Sequence, residues 1–226
     1  MARSPLQISA RSFASRTEAK DFARSIMARY RVGEIITAFD DLFLRDLVAI
    51  HPKAHQKIGC GIAHFTTQID SVWRKTRHFV LVRSDGTETD FSFHTCIDGS
   101  NDRRDIFRAL RHAIADQVIS FQRAAFTGET SPICPYTHAA LTVEDAHVDH
   151  APPDTFYTLA TRWMQQCNLS VFDIRIADSI DNLCVRPMQD PIQKASWVDF
   201  HHAAARLRII SRPANLSHAK RECRIA

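Results

Sequence analysis

An aspartate and a histidine stand side by side in the string AHVDHAPP, which occupies residues 146–153. A short β-hairpin is predicted over residues 141–149, so the pair lies at the end of a strand, where adjacent side chains point to opposite faces. Asp149 can therefore bind a divalent cation, while His150, as a neutral imidazole near pH 7, takes a proton from water. Hydrolysis of a phosphodiester requires both of these functions.

A basic stretch forms the second candidate segment. Residues 206–226 contain six Lys and Arg residues and a single acidic residue, Glu222. Such a stretch near a candidate active site suits contact with phosphate groups, and the alternative explanation is a solvated surface. An Asp-His dipeptide occurs by chance in many proteins, so the functional argument depends on the order in which these segments occur.

The order of these segments resembles that of the HNH, or ββα-metal, nucleases. The string VDHxxP after a hairpin resembles their first motif, and CPYT at 134–137 is similar to the segment that often precedes it. RLRIISRPANL at 206–216 resembles the last motif, in which a hydrophobic stretch leads to an Asn or His that completes a metal site. The resemblance implies that Asp149 and Asn215 bind one divalent cation, and that His150 is the general base. The implied cation is Mg²⁺, with Mn²⁺, Ni²⁺ or Zn²⁺ as alternatives.

The sequence departs from the HNH pattern at the middle asparagine, whose expected position falls near Arg206. His201 and His202 lie slightly earlier, and one of them either replaces that asparagine or orients the phosphate; we expect His201 to do so. His218 is a rival to Asn215 as the last ligand, because it lies one helical turn further on. The ordinary explanations are a helix cap for the asparagine and a helix surface for the adjacent histidines.

A second resemblance lies in the N-terminal half, in the strings HPKAHQKIGCGI (51–62), RHF and RSDG (77–86) and DFS (90–92). These strings resemble the DCL family, named for a plant protein of defective chloroplasts and leaves, over about residues 34–98. The plant family is linked to maturation of ribosomal RNA in plastids. The resemblance therefore implies handling of nucleic acid, without a defined chemistry.

Basic side chains are expected to contact the nucleic-acid backbone in both halves of the chain. In the C-terminal half these are Arg206, Arg208 and Arg212. Backbone amides around Gly59 and Gly61 could receive a phosphate oxygen, and the alternative for these glycines is a turn. In the N-terminal half, one side of a small sheet is expected to carry Lys57, Arg74, Lys75, Arg77 and Arg83.

Hydrophobic spacing and turn signals predict an α+β fold in two parts. Residues 1–125 form a domain of helices and a small antiparallel sheet that ends in a long connecting helix, and residues 126–226 form a ββα-metal domain. The long spacing between the two nuclease motifs implies an insertion over about 155–195. The predicted elements are helices 17–30 and 34–50, strands 62–69, 77–83 and 87–93 with a turn at Asp85-Gly86, and helices 101–125, 155–166 and 199–210.

Composition excludes several classes of protein. The apolar fraction of 45% is enough for an ordinary core, and the net charge of +4 is weak evidence for a polyanionic partner. The six cysteines form no Cys-x-x-Cys pair, which argues against a zinc knuckle. No run of about 18 apolar residues is present, and no signal-peptide pattern opens the chain, so a cytoplasmic protein without membrane spans is expected. The lack of glycine after Gly128 excludes a P-loop there.

These observations predict a metal-dependent HNH endonuclease that hydrolyses phosphodiester bonds, in DNA rather than RNA. The resemblance implies 5′-phosphate and 3′-hydroxyl products, with the DCL-like domain assisting nucleic-acid binding. The alternative is a non-catalytic nucleic-acid-binding protein that acts in RNA processing, and a purely structural interaction protein is a third. Sequence specificity and oligomeric state are left open.

Overall fold

The computed structural model describes residues 5–73, 76–128, 130–178 and 185–222, with side chains described up to Ser217. The chain divides into two compact units, one of residues 1–105 and 178–186 and one of residues 106–177 and 187–226. The division falls after Asp105, within the helix of residues 102–113, and not at residue 125, because Phe107 and Leu110 of that helix are buried in the C-terminal core around Trp197.

The N-terminal unit combines helices with two small antiparallel sheets. The three-stranded sheet has the order β3-β4-β5, and the other sheet is the pair β1-β2. The elements are β1 (Leu6–Ile8), β2 (Arg11–Phe13), α1 (Arg16–Arg29), α2 (Ala38–Ala49), α3 (Ala54–Ile58), β3 (Ile62–Ile69), β4 (Arg77–Arg83), β5 (Glu88–Phe91) and α4 (Phe93–Asp98).

The second helix is shorter than predicted, and the reason is a backbone contact. The Ile36 amide donates to the Phe65 carbonyl of β3 at 2.8 Å, so this part of the chain is extended and α2 begins only at Ala38. The predicted hairpin is confirmed: Val82 pairs with Glu88 across a turn that contains Gly86. Gly86 has a φ of 82°, which a glycine adopts at little cost.

The C-terminal unit is built from helices around one two-stranded sheet, β6-β7. The predicted single helix over 101–125 is interrupted at Ile114, whose ψ of 9° lies outside the helical range. The elements are α5 (Asp102–Ala113), α6 (Ala115–Ala125), β6 (Ala146–His150), α7 (Phe156–Gln166), a 3₁₀ helix (Val171–Asp173), α8 (Pro191–Ala204), β7 (Leu207–Ser211) and α9 (Arg212–Glu222).

The predicted local hairpin over 141–149 is wrong, because the partner of β6 is the distant strand β7. The two strands are antiparallel, and Asp149 lies opposite Arg208. The last predicted helix, 199–210, is also displaced. Asp190 caps α8 by accepting from the Ile192 and Gln193 amides, so that helix begins earlier and ends at Ala204.

The helices of the insertion between the two strands pack with α5 in one apolar core. Trp163 of α7 and Trp197 of α8 are both almost fully buried, with ring centroids 5.4 Å apart. The Trp197 Nε1 also donates to the Leu110 carbonyl of α5 at 2.9 Å. Within the described part of the chain, none of the helices combines the length and the apolar character that crossing a bilayer demands.

Candidate functional site

Strands β6 and β7 and helix α9 form one compact ββα element, in which β7 runs directly into α9. The Ser211 hydroxyl accepts the Ala214 amide at 3.3 Å, which caps the first turn of the helix. The Ser211 amide in turn donates to the Cys134 sulfur at 3.3 Å, within the CPYT segment. On the other side, Gln122 of α6 donates to the Ala146 carbonyl at 3.2 Å. These contacts fix the positions of β6 and of the start of α9.

Asn215 reaches β6 from the first turns of α9. Its Nδ2 lies 2.9 Å from Nδ1 of His147, a histidine that the sequence interpretation passed over. His147 is two residues before Asp149, and alternate residues of a strand share a face. The period of two in AHVDH was the signal that could have pointed to it. Asn215, the predicted last ligand, therefore contacts the strand that carries Asp149. The contact is made through His147, whose imidazole is also a possible metal ligand. The rival His218 has its side chain outside the described residues.

The Asp149 carboxylate is bound by the arginine opposite it on β7. Both Nε and Nη2 of Arg208 donate to Asp149 Oδ2, at 2.8 and 2.5 Å, and the guanidinium lies 5.0 Å from the ring centroid of Tyr136. Burial acts to lower the pKa of Arg208, but its hydrogen bond and charge attraction to Asp149 outweigh this and raise the pKa above its usual value. The predicted phosphate contact is therefore an ion pair within the site.

His150 is joined to His201, the histidine predicted to replace the middle asparagine. Their Nε2 atoms are 2.9 Å apart, and His201 Nδ1 is 2.5 Å from Oε1 of Gln117. The Gln117 amide nitrogen donates to the Val198 carbonyl at 2.8 Å, which fixes its oxygen as the acceptor facing His201. His201 then carries its proton on Nδ1 and accepts at Nε2 from His150. This tautomer leaves Nδ1 of His150 as an unprotonated base.

Both imidazoles are held in their neutral form. Burial lowers the pKa of His150 to about 4, and among the charges around it Asp149 acts to raise the pKa while Arg111 lowers it. Burial also lowers the pKa of His201 to about 4, with further lowering by His150 and His202. Each ring therefore carries a single proton and no positive charge at pH 7, so the hydrogen-bonded chain keeps the direction described above.

A surface cavity of about 490 Å³ opens beside this histidine chain. It lies among α6, the end of α8 and the start of β7, and it falls within the size range of small-molecule sites. Its lining combines polar and aromatic groups and includes His201, Gln117, Asp116, Ser120, Phe121 and His202.

The predicted basic surface of the N-terminal sheet requires correction, because its arginines and lysine support the fold. Lys57 is only 6% exposed, and its Nζ donates to Thr89 Oγ1 at 2.9 Å. Arg83 is 9% exposed and donates through Nε to the Lys57 carbonyl at 3.0 Å. Arg77 donates to the Tyr30 carbonyl at 2.7 Å. Arg74 and Lys75 lie outside the described residues.

The KIGCG string itself has a packing explanation. A Cβ on Gly59 would lie 3.0 Å from Cδ of Arg83, so the glycine makes room for the arginine that binds the preceding turn. Of the three basic residues predicted in the C-terminal half, Arg206 and Arg212 are exposed, as a contact with nucleic acid requires.

The residues of the ββα element fit a divalent cation in chemistry, with one qualification. A carboxylate (Asp149), an amide (Asn215) and an imidazole (His147) are ligands that such cations accept. Across the described ranges, no group of three or more His, Cys, Asp and Glu residues is placed to hold a metal ion, so a cation here would need the Asn215 amide as a ligand. Arg208 already neutralises the carboxylate, and a cation would compete with it for that charge.

Comparison with known proteins concerns the N-terminal unit. Residues 24–97 match a family described as "Protein of unknown function (DUF3223)". The chain is similar to "Protein DCL, chloroplastic" of Solanum lycopersicum, with 31% identity over 81 residues that cover 34% of this chain and 36% of that protein. The family match over residues 24–97 and the similarity to DCL together support a DCL-family domain in the N-terminal unit. This confirms the resemblance predicted over about 34–98.

The chain is also similar to proteins of Arabidopsis thaliana. "Protein EMBRYO DEFECTIVE 514" is 30% identical over 95 residues, which cover 42% of this chain and 46% of that protein. "DNA-directed RNA polymerase IV subunit 1" is 29% identical over 82 residues, which cover 34% of this chain and 5% of that protein. The chain spans less than half the length of each of these relatives. The DCL-family domain lies in the N-terminal unit, so the nuclease hypothesis for the C-terminal unit depends on geometry.

Proposed function

We propose that the protein is a metal-dependent endonuclease of the HNH type that hydrolyses phosphodiester bonds in DNA. The observation that carries this proposal is the hydrogen-bonded chain from Gln117 through His201 to His150, which leaves His150 Nδ1 free to accept a proton. The chain ends on the strand that also carries Asp149, inside an element with ββα order. General bases in hydrolysis need this combination of a neutral ring and a fixed tautomer.

In the proposed reaction His150 takes a proton from the attacking water through Nδ1. His201 is a positioning residue: it accepts the Nε2 proton of His150 and is itself oriented by Gln117. A neutral His150 at pH 7 follows from its pKa of about 4, at the cost of lower basicity than a solvated histidine has. The half-buried position also shields the ring from competing solvent.

The divalent cation would be held by Asp149, Asn215 and His147, with Mg²⁺ as the expected ion. When bound, it supplies stabilisation of the charge that develops on the leaving 3′-oxygen. Arg206 and Arg212 are exposed near the ββα element and are proposed to contact the phosphate backbone. The DCL-family domain is proposed to add binding surface, through residues other than the buried Lys57 and Arg83.

The test is cleavage of supercoiled plasmid, and in parallel of a structured RNA, with Mg²⁺ or Mn²⁺. His150→Ala should lower the cleavage rate by about 10²–10⁴-fold, the usual contribution of a general base. His55→Ala is the matched control, because His55 is an exposed histidine of the other unit. Equal nicking by the wild type and His150→Ala would contradict the assignment, and a preference for RNA would revise the substrate.

The second candidate is a non-catalytic protein that binds nucleic acid in RNA processing. The Asp149–Arg208 ion pair favours it, since a carboxylate neutralised internally needs no metal. The similarity to a polymerase subunit and to DCL is compatible with this alternative. Tight binding that weakens steeply with salt, without cleavage in any metal, would support it over the nuclease.

A further inference from the structure

We propose that Arg208 is an exchangeable internal counter-ion. Its guanidinium neutralises Asp149 until a divalent cation binds the carboxylate, and it then pairs with a substrate phosphate instead. This inference rests on the proposed function. It assigns Arg208 to two successive partners, one in the chain and one in the substrate.

The first step of the argument is the geometry of the pair. Both hydrogen bonds from Arg208 end on the same oxygen, Asp149 Oδ2. The two side chains keep 22% and 24% of their surface exposed, so this is a half-buried pair that solvent and ions can reach. A guanidinium that donates to one carboxylate oxygen is held less firmly than one bound in the bidentate manner across two.

The second step is competition for the same charge. A divalent cation on the Asp149 carboxylate would lie within a few ångströms of the Arg208 guanidinium, and the two positive charges would repel in a half-buried setting. The carboxylate carries one negative charge, for which the two cations compete. Binding of a cation therefore weakens the attraction between Asp149 and Arg208 and favours release of the guanidinium, and removal of Arg208 should make cation binding easier.

The third step is where the guanidinium goes. Strand pairing fixes the Arg208 backbone opposite Asp149, so the head group remains within the length of its own side chain from the carboxylate. Tyr136 offers an aromatic face 5.0 Å from the guanidinium, which can keep it close to the site. The planar fork of an arginine suits two phosphate oxygens, and a phosphate drawn to the cation would lie within its reach.

The experiment measures Mn²⁺ binding to the full chain without nucleic acid, from the paramagnetic resonance signal of free Mn²⁺. Arg208→Gln should lower the Mn²⁺ dissociation constant by about tenfold, within the range of typical coupling between two competing ligands. Arg208→Lys should lie between it and the wild type. Arg123→Gln is the matched control, since it removes the same charge from an exposed position of the same unit. Asp149→Asn should abolish the difference between the Arg208 variants.

Circular dichroism and thermal unfolding establish that each variant is folded before its titration is interpreted. Unchanged or weaker Mn²⁺ binding in Arg208→Gln, or no Mn²⁺ binding in any variant, would overturn the proposal. A plasmid assay separates this from the nuclease hypothesis. If the wild type cleaves and Arg208→Gln binds Mn²⁺ no more tightly, the exchange alone fails. If Arg208→Gln binds more tightly while the wild type cleaves nothing, the exchange stands and the nuclease assignment fails.

Discussion

In the N-terminal unit Arg83 donates to the backbone carbonyl of Lys57, whereas in the C-terminal unit Arg208 donates to a carboxylate that can accept other cations. Both arginines were predicted to contact nucleic acid. The first is bound to groups that cannot leave it, because a backbone carbonyl is part of the fold. The second is bound to a side chain whose partner can change. We therefore expect the chemical character of the partner, more than burial, to separate a structural arginine from one that can take part in the proposed function.

The largest loss of stability is expected at Arg83, whose guanidinium donates to backbone carbonyls. Arg83→Ala removes the Arg83 donor from the buried hydrogen bond to the Lys57 carbonyl and from the part-buried one to the Gln56 carbonyl, so the free energy of unfolding should fall by about 2–4 kcal/mol. Urea unfolding followed by circular dichroism measures the change. Arg31→Ala, at an exposed position of the same unit, should stay within about 0.5 kcal/mol of the wild type. Similar losses in the two variants would contradict a structural role for the contacts between Arg83 and the backbone.

A catalytic effect of comparable size is expected at His201. His201→Ala removes the acceptor that fixes the His150 tautomer, so the plasmid cleavage rate should fall by about 10–100-fold, as for other orienting partners. His201→Gln keeps an acceptor oxygen and should recover part of the rate. If the glutamine variant is as impaired as the alanine variant while both are folded, His201 supports packing and does not orient His150.

A backbone effect should follow at Gly59. Its φ of 55° and ψ of −121° are rarely adopted by other residues, and an added Cβ would approach Arg83 at 3.0 Å. Gly59→Ala should therefore cost about 1–3 kcal/mol of stability. Gly33→Ala is a useful control, because Gly33 also has a positive φ of 79° but has no atom within 4 Å of an added Cβ. Equal losses would mean that backbone strain alone, without Arg83, accounts for the KIGCG string.

The smallest effect concerns pH, at a histidine of the N-terminal unit. Burial lowers the pKa of His51 to about 4, with further lowering by Lys57 and Lys53, and its Nδ1 accepts the Lys53 amide at 3.0 Å. Because the folded pKa of His51 lies below its unfolded value of 6.5, the stability that neutral His51 contributes is complete above pH 6.5. This contribution is lost as the pH falls toward 4. The urea midpoints measured at pH 7.5 and at pH 4.5 should differ less in His51→Gln than they do in the wild type. An unaltered pH dependence would assign the effect to other groups.

The elements of the N-terminal sheet could be predicted because their pairing is local. The turn at Gly86 joins neighbouring strands, so the sequence around it contains both partners. The pairing of β6 with β7 could not be predicted in this way, since residues 151–206 separate them. The segment before Asp149 was therefore assigned a local partner. The ion pair between Asp149 and Arg208 was missed for the same reason, as it exists only across that distant register.

Within the candidate site, the types of residue were easier to predict than their partners. Asp149, His150, His201 and Asn215 were selected from motif order, and the structure joins His150 to His201 and Asn215 to β6. His147 was missed although it shares a strand face with Asp149, because the alternation does not show which distant residue, here Asn215 of α9, contacts that face. The buried state of Lys57 depends on tertiary packing that a motif does not encode.

The distance in sequence between β6 and β7 makes the stability of the candidate site depend on the tryptophan core that lies between them. Trp197 packs against the His201 ring with centroids 5.6 Å apart, and the helices that carry Trp163 and Trp197 lie in the segment that connects the two strands. Loosening that core raises the entropy that strand pairing must overcome. Variants with smaller side chains there should lose the site cooperatively on mild warming, which would make them natural starting points for temperature-sensitive alleles.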